Sequence, residues 1–215
     1  SECVIIDPGK DSIGGIDEVI AELDLKPVAV MLTHGHIDHV WSVVPVCGAR
    51  GIPAYIHPDD REMLADPMAG ISRQTADMLT TMSDGRLAAG EPDEVLELRD
   101  GLLISLAGLV FTVEHAPGHT RGSVMFRREE TVEDPTVLFS GDVLFEGSIG
   151  RTDLPGGDHA QMLNSLKTKV LPLSDTTVVL PGHGGATTIG RERQSNPYLT
   201  ALANEESPVN RAKGL

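Results

Sequence analysis

The 215-residue chain predicts an α/β fold on two observations. Strand-like and helix-like segments alternate along its length, and four β-rich runs each lead into a Gly-containing turn that carries His or Asp. A hydrophobic fraction of 40% in a chain of this size is enough to bury a substantial core, so one domain covering residues 1–215 is expected.

Residues 2–6, rich in Val and Ile, read as a strand. Ile16, Val19, Ile20 and Leu23 recur at helical spacing, so residues 15–25 read as a helix, and 28–32 as a second strand. A helix over 40–49, a short strand over 54–56 and a helix over 58–65 follow, the last opened by an acidic first turn of Asp59, Asp60 and Glu62. Between 67 and 92, Met68, Ile71, Met78, Leu79 and Met82 suggest a partly helical insertion, either a lid over a cleft or a packing element. The pattern then turns β-rich, with runs at 95–98, 102–106, 109–114, 123–127 and 136–139. Met162, Leu163, Leu166 and Val170 mark a helix over 158–170, a strand covers 176–180, and helical pieces at 189–194 and 197–203 close the chain.

Function is concentrated in the run Thr33-His34-Gly35-His36-Ile37-Asp38-His39. Three imidazoles and a carboxylate in six residues are borderline nitrogen and hard oxygen donors suited to a transition metal. If the chain stays extended as it leaves the strand, His34 and His36 project to one side and grip one ion. Asp38 and His39 fall where the chain turns, and serve a second ion. The alternative is a surface loop that is merely rich in His. Against it, ligand types recur downstream at other strand ends, in Ala116-Pro117-Gly118-His119, Ser140-Gly141-Asp142 and Pro181-Gly182-His183. Strand ends along one sheet edge converge on a single cleft. His34, His36 and His119 then hold one ion, Asp38, His39 and His183 the other, and Asp142 bridges both. Ions clamped about 3.5–4 Å apart hold a hydroxide between them.

The set His34-x-His36-x-Asp38-His39, His119, Asp142 and His183, in this order and each after a strand, resembles the metal ligands of the metallo-β-lactamase superfamily. The runs Pro117-Gly118-His119-Thr120-Arg121-Gly122-Ser123, Phe139-Ser140-Gly141-Asp142, Gly150-Arg151-Thr152-Asp153 and Pro181-Gly182-His183-Gly184 resemble its glyoxalase II-like, or hydroxyacylglutathione hydrolase-like, branch. Thr187-Thr188-Ile189-Gly190-Arg191-Glu192 with Asn196-Pro197-Tyr198-Leu199 is similar to the short bacterial members. The resemblance implies a four-layer αβ/βα sandwich with the site along one edge. It also implies one or two strands before residues 2–6, so an N-terminal stretch is expected to precede Ser1. It implies two divalent ions, zinc first, with iron or manganese accepted by the same donors. The expected reaction is hydrolysis of a 2-hydroxyacyl thioester such as S-lactoylglutathione, in which Asp38 and Asp142 act at the reacting centre. A thiolate departs without strong acid assistance, so a thioester suits such a site.

In the larger glyoxalase II enzymes a Lys and a Tyr shortly after the bridging Asp, with basic residues of a C-terminal helical domain, hold glutathione. Here Arg151 and Asp153 stand in the places of that Lys and Tyr, and 32 residues follow His183, so that helical domain is not expected. Arg151 is the candidate anchor for a substrate carboxylate; the competing reading is a salt bridge with Asp153. The closest rival function is a persulfide dioxygenase, which resembles this branch and uses one iron held by the equivalents of His34, His119 and Asp142; a lactonase is a further alternative.

A formal net charge of −15 repels RNA and DNA in the absence of a Lys/Arg cluster, so the expected partner is a small molecule and not a nucleic acid. No apolar run approaches ~20 residues, so no membrane span is expected. Cys3 and Cys47 are too few for a disulfide framework, and reduced thiols suit the cytoplasm. A monomer or small homo-oligomer is expected. His57 and His159 are read at helix starts and not as ligands, and His115 as packing or as support for a ligand.

Overall fold

A computed structural model describes residues 1–72, 74–76, 90–132 and 134–206. The first sheet is wholly parallel, with β1 (Glu2–Ile6), β2 (Lys26–Met31), β3 (Ala54–Ile56) and β4 (Val95–Glu97) side by side in sequence order. Parallel neighbours need crossovers. Helix α1 (Ile13–Glu22) provides the first, and α2 (Ile37–Val40) with α3 (Val43–Arg50) the second. A one-turn 3₁₀ segment at Pro58–Asp60 and α4 (Glu62–Ala65) lie between β3 and β4.

The second sheet is mixed. Strands β5 (Leu103–Leu106), β6 (Leu109–His115), β7 (Val124–Arg128) and β8 (Val137–Gly141) form an antiparallel meander. A hairpin of β9 (Leu144–Phe145) and β10 (Ser148–Ile149) follows, then α5 (His159–Ser165), which runs on as a π-turn over Leu166–Val170. That crossover returns β11 (Val178–Pro181) parallel to β8, and β12 (Thr187–Thr188) pairs antiparallel on its outer side. The chain ends its described part with α6 (Ile189–Ser195) and α7 (Pro197–Glu206).

Strand alternation sorts the apolar side chains into three packed layers between four layers of structure. On β2, Val30 joins Val43, Val46, Cys47 and Leu64 on the helical side, while Met31 points the other way. Met31 meets Phe111, Val113, Val124 and Phe126 between the sheets. On the far side, Met125, Leu138 and Val179 pack against Met162, Leu166, Val170, Ile189 and Leu199 from α5, its π-turn, α6 and α7. The result is an αβ/βα sandwich.

Several expected elements shift. The helix expected over 40–49 is two helices, broken at Trp41-Ser42, and the first begins inside the His-rich run at Ile37. The helix expected over 58–65 splits likewise into the 3₁₀ segment and α4; the expected acidic residues open these turns, but Asp60 is buried. The helix expected over 15–25 runs from Ile13 to Glu22. The β9–β10 hairpin and β12 have two-residue strands, too short for an alternating pattern. Of the insertion expected at 67–92, Met78, Leu79 and Met82 lie outside the described residues. No helix among the described residues is long and apolar enough to cross a membrane.

Candidate metal centre

The His-rich run follows β2, and His36, in extended conformation (φ −64°, ψ 146°), precedes the turn into α2. Asp7, just beyond β1, organises the loop. Its carboxylate accepts the backbone N–H of Thr33 (2.8 Å) and the Thr33 hydroxyl, and holds Nδ1 of His39 at 2.9 Å. The Thr33 hydroxyl, donating to Asp7, is left to accept from Nδ1 of His34 at 3.1 Å. On the second sheet, Nδ1 of His119 donates to the Arg151 carbonyl at 2.7 Å. With Nδ1 committed in three rings, the usual kind of support given to imidazole ligands, His34, His39 and His119 turn Nε2 toward the cluster, while His36 turns Nδ1.

These rings form two triads. Nitrogens of His34, His36 and His119 lie within 4.8 Å of one another, with His36 Nδ1 2.8 Å from His119 Nε2. In the second triad, His183 Nε2 is 3.2 Å from His39 Nε2 and 3.0 Å from Asp38 Oδ2. Asp142 stands between them. Its Oδ2 lies 3.4 Å from His119 Nε2 and 3.7 Å from His183 Nε2, and its Oδ1 lies 3.4 Å from His39 Nε2. All seven side chains singled out in the sequence therefore meet at one rim, four from the β2–α2 segment and three from the ends of β6, β8 and β11. Gly182 allows this approach, since a Cβ there would sit 2.5 Å from Asp142 Oδ1 and 2.6 Å from His39 Cε1.

The donors fit a metal ion on two grounds. His34 Nε2 and Asp142 Oδ1 are buried with no hydrogen-bond partner, a cost that proteins tolerate where a cation satisfies the lone pairs; His36 instead turns Nδ1 to the triad and its Nε2 toward Gly70. The electrostatics agree. Burial, reinforced by neighbouring imidazoles, drives His34 well below the ordinary histidine value. The same causes take His36 down to about 4, and burial also lowers His119. The first triad is thus neutral imidazole, the form that binds metal. His39 differs: burial opposes its protonation, but the carboxylates of Asp142 and Asp7 push it up to about 10. Asp142 is held below the usual carboxylate range by His39 and its neighbours, although burial works against this. That excess of negative charge around His39 is what a cation in the second triad would neutralise.

Two supporting residues were not singled out in the sequence. Asp7 follows a β-rich run and precedes Pro8-Gly9, the same setting as the ligands, so a signal was present. Asp60 is fully buried and accepts from the backbone N–H groups of Gly35 (3.0 Å) and Gly122 (2.7 Å) and from the Thr120 hydroxyl (2.6 Å). It ties the loop carrying His34 and His36 to the loop carrying His119. Burial raises its pKa while those donors lower it. The candidate substrate anchor Arg151 pairs with Asp153 through two bonds of 2.7 Å. His115 stacks on His57 at 4.1 Å and bonds the Arg121 carbonyl. His159 lies at the start of α5 and meets Thr152.

The sequence model of the metallo-beta-lactamase superfamily matches residues 1–183. The chain belongs to that superfamily. Among superfamily relatives, the uncharacterized protein Rv2581c of Mycobacterium tuberculosis is 47% identical over 94% of this chain and 89% of its own length. Hydroxyacylglutathione hydrolase GloC of Haemophilus influenzae is 36% identical over 92% of this chain and 87% of its own. Of solved metallo-β-lactamase folds, the BLEG-1 B3 metallo-beta-lactamase superposes with TM-score 0.77 at 39% identity, covering 93% of this chain and 89% of that one. TTHA1623 in a di-iron-bound form gives 0.72 at 37% identity, covering 90% and 88%. ETHE1 from Myxococcus xanthus gives 0.69 at 25% identity, covering 96% and 82%.

Proposed function

We propose that this chain is a metal-dependent hydrolase of 2-hydroxyacyl thioesters such as S-lactoylglutathione. The observation that carries the reading is the pair of triads astride Asp142, with His34 Nε2 and Asp142 Oδ1 buried there without a hydrogen-bond partner. His34, His36 and His119 would hold one divalent ion, Asp38, His39 and His183 the other, with Asp142 shared; zinc is the metal proposed, and iron or manganese suit the same donors. Ions bound there would supply water activation, lowering its pKa from 15.7 to about 7, and polarisation of a carbonyl.

The remaining work falls to the chain's own groups. Asp38 is half-exposed at the mouth of the site, where Oδ2 can accept a hydrogen bond from incoming water and fix its orientation. Asp7 and the Arg151 carbonyl keep the His39 and His119 rings from rotating away. Departure of a thiolate needs no proton, so the reaction asks for no acid opposite the nucleophile. The likeness to GloC supports the substrate class. A persulfide dioxygenase shares much of this motif set but uses one iron, whereas the Asp38, His39 and His183 set offers donors for a second ion; metal stoichiometry separates the two readings.

The test pairs elemental analysis of the purified protein with thiol release from S-lactoylglutathione. Two equivalents of metal and steady release are expected, with both lost in Asp142→Ala. Oxygen uptake on glutathione persulfide, with one iron per chain and no thiol release, would replace this reading with the dioxygenase.

A further inference from the structure

A groove of about 200 Å³ runs beside the first triad, between residues 59–63, Asp60 among them, with Ala69 on one wall and Thr120, Arg121, Pro155 and Gly156 on the other. It lies next to the proposed ligands on both walls. Thr120 follows His119 directly, and Met63 packs at Gly35 and at Gly70, which itself abuts the His36 ring.

The charges along this groove are unusual for the molecule. Among the described residues, Arg50, Arg61, Arg99, Arg127, Arg128, Arg151, Arg191 and Arg193 each pair with a carboxylate. Arg121 has no such partner among them, in a chain of net charge −15 where carboxylates are abundant. Its stem rests 3.7 Å from the position a Cβ would take on Gly156, so the side chain lies along the groove wall. Asp59 and Glu62 face the same groove, exposed, and neither reaches ion-pair distance of Arg121. Among the described residues, the open groove sets a guanidinium without a carboxylate partner against the exposed carboxylates of Asp59 and Glu62, the Asp60 carboxylate between the walls being buried and hydrogen-bonded, and this suits a zwitterion. A plain anion would meet repulsion from Asp59 and Glu62, and a neutral group would leave the Arg121 guanidinium without a counter-charge.

We propose that this groove holds the α-amino-acid end of the substrate's thiol carrier, with Arg121 taking its carboxylate and Asp59 and Glu62 its ammonium. This rests on the thioesterase reading above for the identity of the reacting group. It also assigns the task for which Arg151 was the sequence candidate, since the Arg151 fork is filled by Asp153. The guanidinium matches a carboxylate in bidentate fashion, so Arg121 acts on carrier binding and not on bond cleavage.

The experiment has two arms, both on the metal-loaded protein. Calorimetry measures binding of S-methylglutathione, a thioether that cannot be hydrolysed, and kinetics compare S-lactoylglutathione with the lactoyl thioester of N-acetylcysteamine, which lacks both charges. For Arg121→Met, a roughly 10- to 100-fold weaker affinity and a matching rise in KM for S-lactoylglutathione are expected, exceeding the change for the truncated thioester by tenfold or more. Arg121→Lys should recover part of the loss. Asp59→Asn with Glu62→Gln should weaken S-methylglutathione more than its N-acetylated form. Hydrolysis of S-lactoylglutathione with affinity and KM indifferent to Arg121→Met would overturn the groove while leaving the thioesterase intact. Binding of S-methylglutathione through Arg121 without thioester hydrolysis would uphold the groove and remove the thioesterase.

Discussion

Asp60, which is not among the candidate ligands, holds two loops of the candidate metal centre together through one carboxylate. Its Oδ2 takes the Gly35 N–H and the Thr120 hydroxyl, and its Oδ1 takes the Gly122 N–H. Every partner donates. Asparagine in its place must turn an NH₂ toward either Gly35 or Gly122, setting N–H against N–H in a site closed to water. Asp60→Asn is therefore expected to cost about 2–4 kcal/mol of stability and to lower occupancy of the ion held by His34, His36 and His119. Urea denaturation and metal content per chain measure the two effects. A variant as stable and as metal-rich as the wild type would show that the three bonds position nothing. In the sequence, Asp60 reads as the acidic first turn of a helix, because residue type alone cannot say which way a side chain points at a helix start. The cluster of candidate ligands is legible because His and Asp crowded after apolar runs serve a metal well and an apolar core badly.

Elements are legible where apolar residues repeat over several turns or strand steps. Met162, Leu166 and Val170 mark the crossover before β11, and Phe111 and Val113 mark the core face of β6. What the repeat does not show is the π-turn over Leu166–Val170, a change of hydrogen bonding that leaves the apolar spacing almost intact. Lys169 in that turn locks it to the sheet, with Nζ 2.7 Å from Asp100 Oδ1 and 3.0 Å from Glu114 Oε2. Burial works against charge on both Lys169 and Asp100, yet the pairing wins, leaving Lys169 above and Asp100 below its ordinary value. A raised Lys contributes stability below its unfolded pKa and loses it as pH rises through the folded one. A depressed Asp contributes above its unfolded pKa and loses it as pH falls through the folded one. Lys169→Met is thus expected to cost about 1 kcal/mol across neutral pH, a modest figure because Asp100 is half-exposed. The gap between variant and wild type should narrow in strong acid as Asp100 protonates, and in strong alkali as Lys169 loses its proton. A gap independent of pH would point to lost packing of the lysine stem instead.

At the scale of the whole molecule the ligand set spans both sheets. His34, His36, Asp38 and His39 follow β2 of the parallel sheet, while His119, Asp142 and His183 follow β6, β8 and β11 of the mixed one. Ions shared between these groups would fasten the two sheet edges together, whereas the unloaded protein keeps buried donors with no partner and carboxylates crowded around His39. Binding to the folded chain alone stabilises it by about 4 kcal/mol at 1,000 times Kd. For a chain of this length such a gain raises Tm by roughly 10 °C. Scanning calorimetry before chelation, after chelation and after return of zinc should show that fall and its recovery. Asp142→Ala removes the carboxylate that faces both triads, so its Tm should respond much less to added zinc. The order of these shifts separates a centre shared between sheets from two independent surface sites, because independent sites would leave most of the zinc response intact when Asp142 is lost.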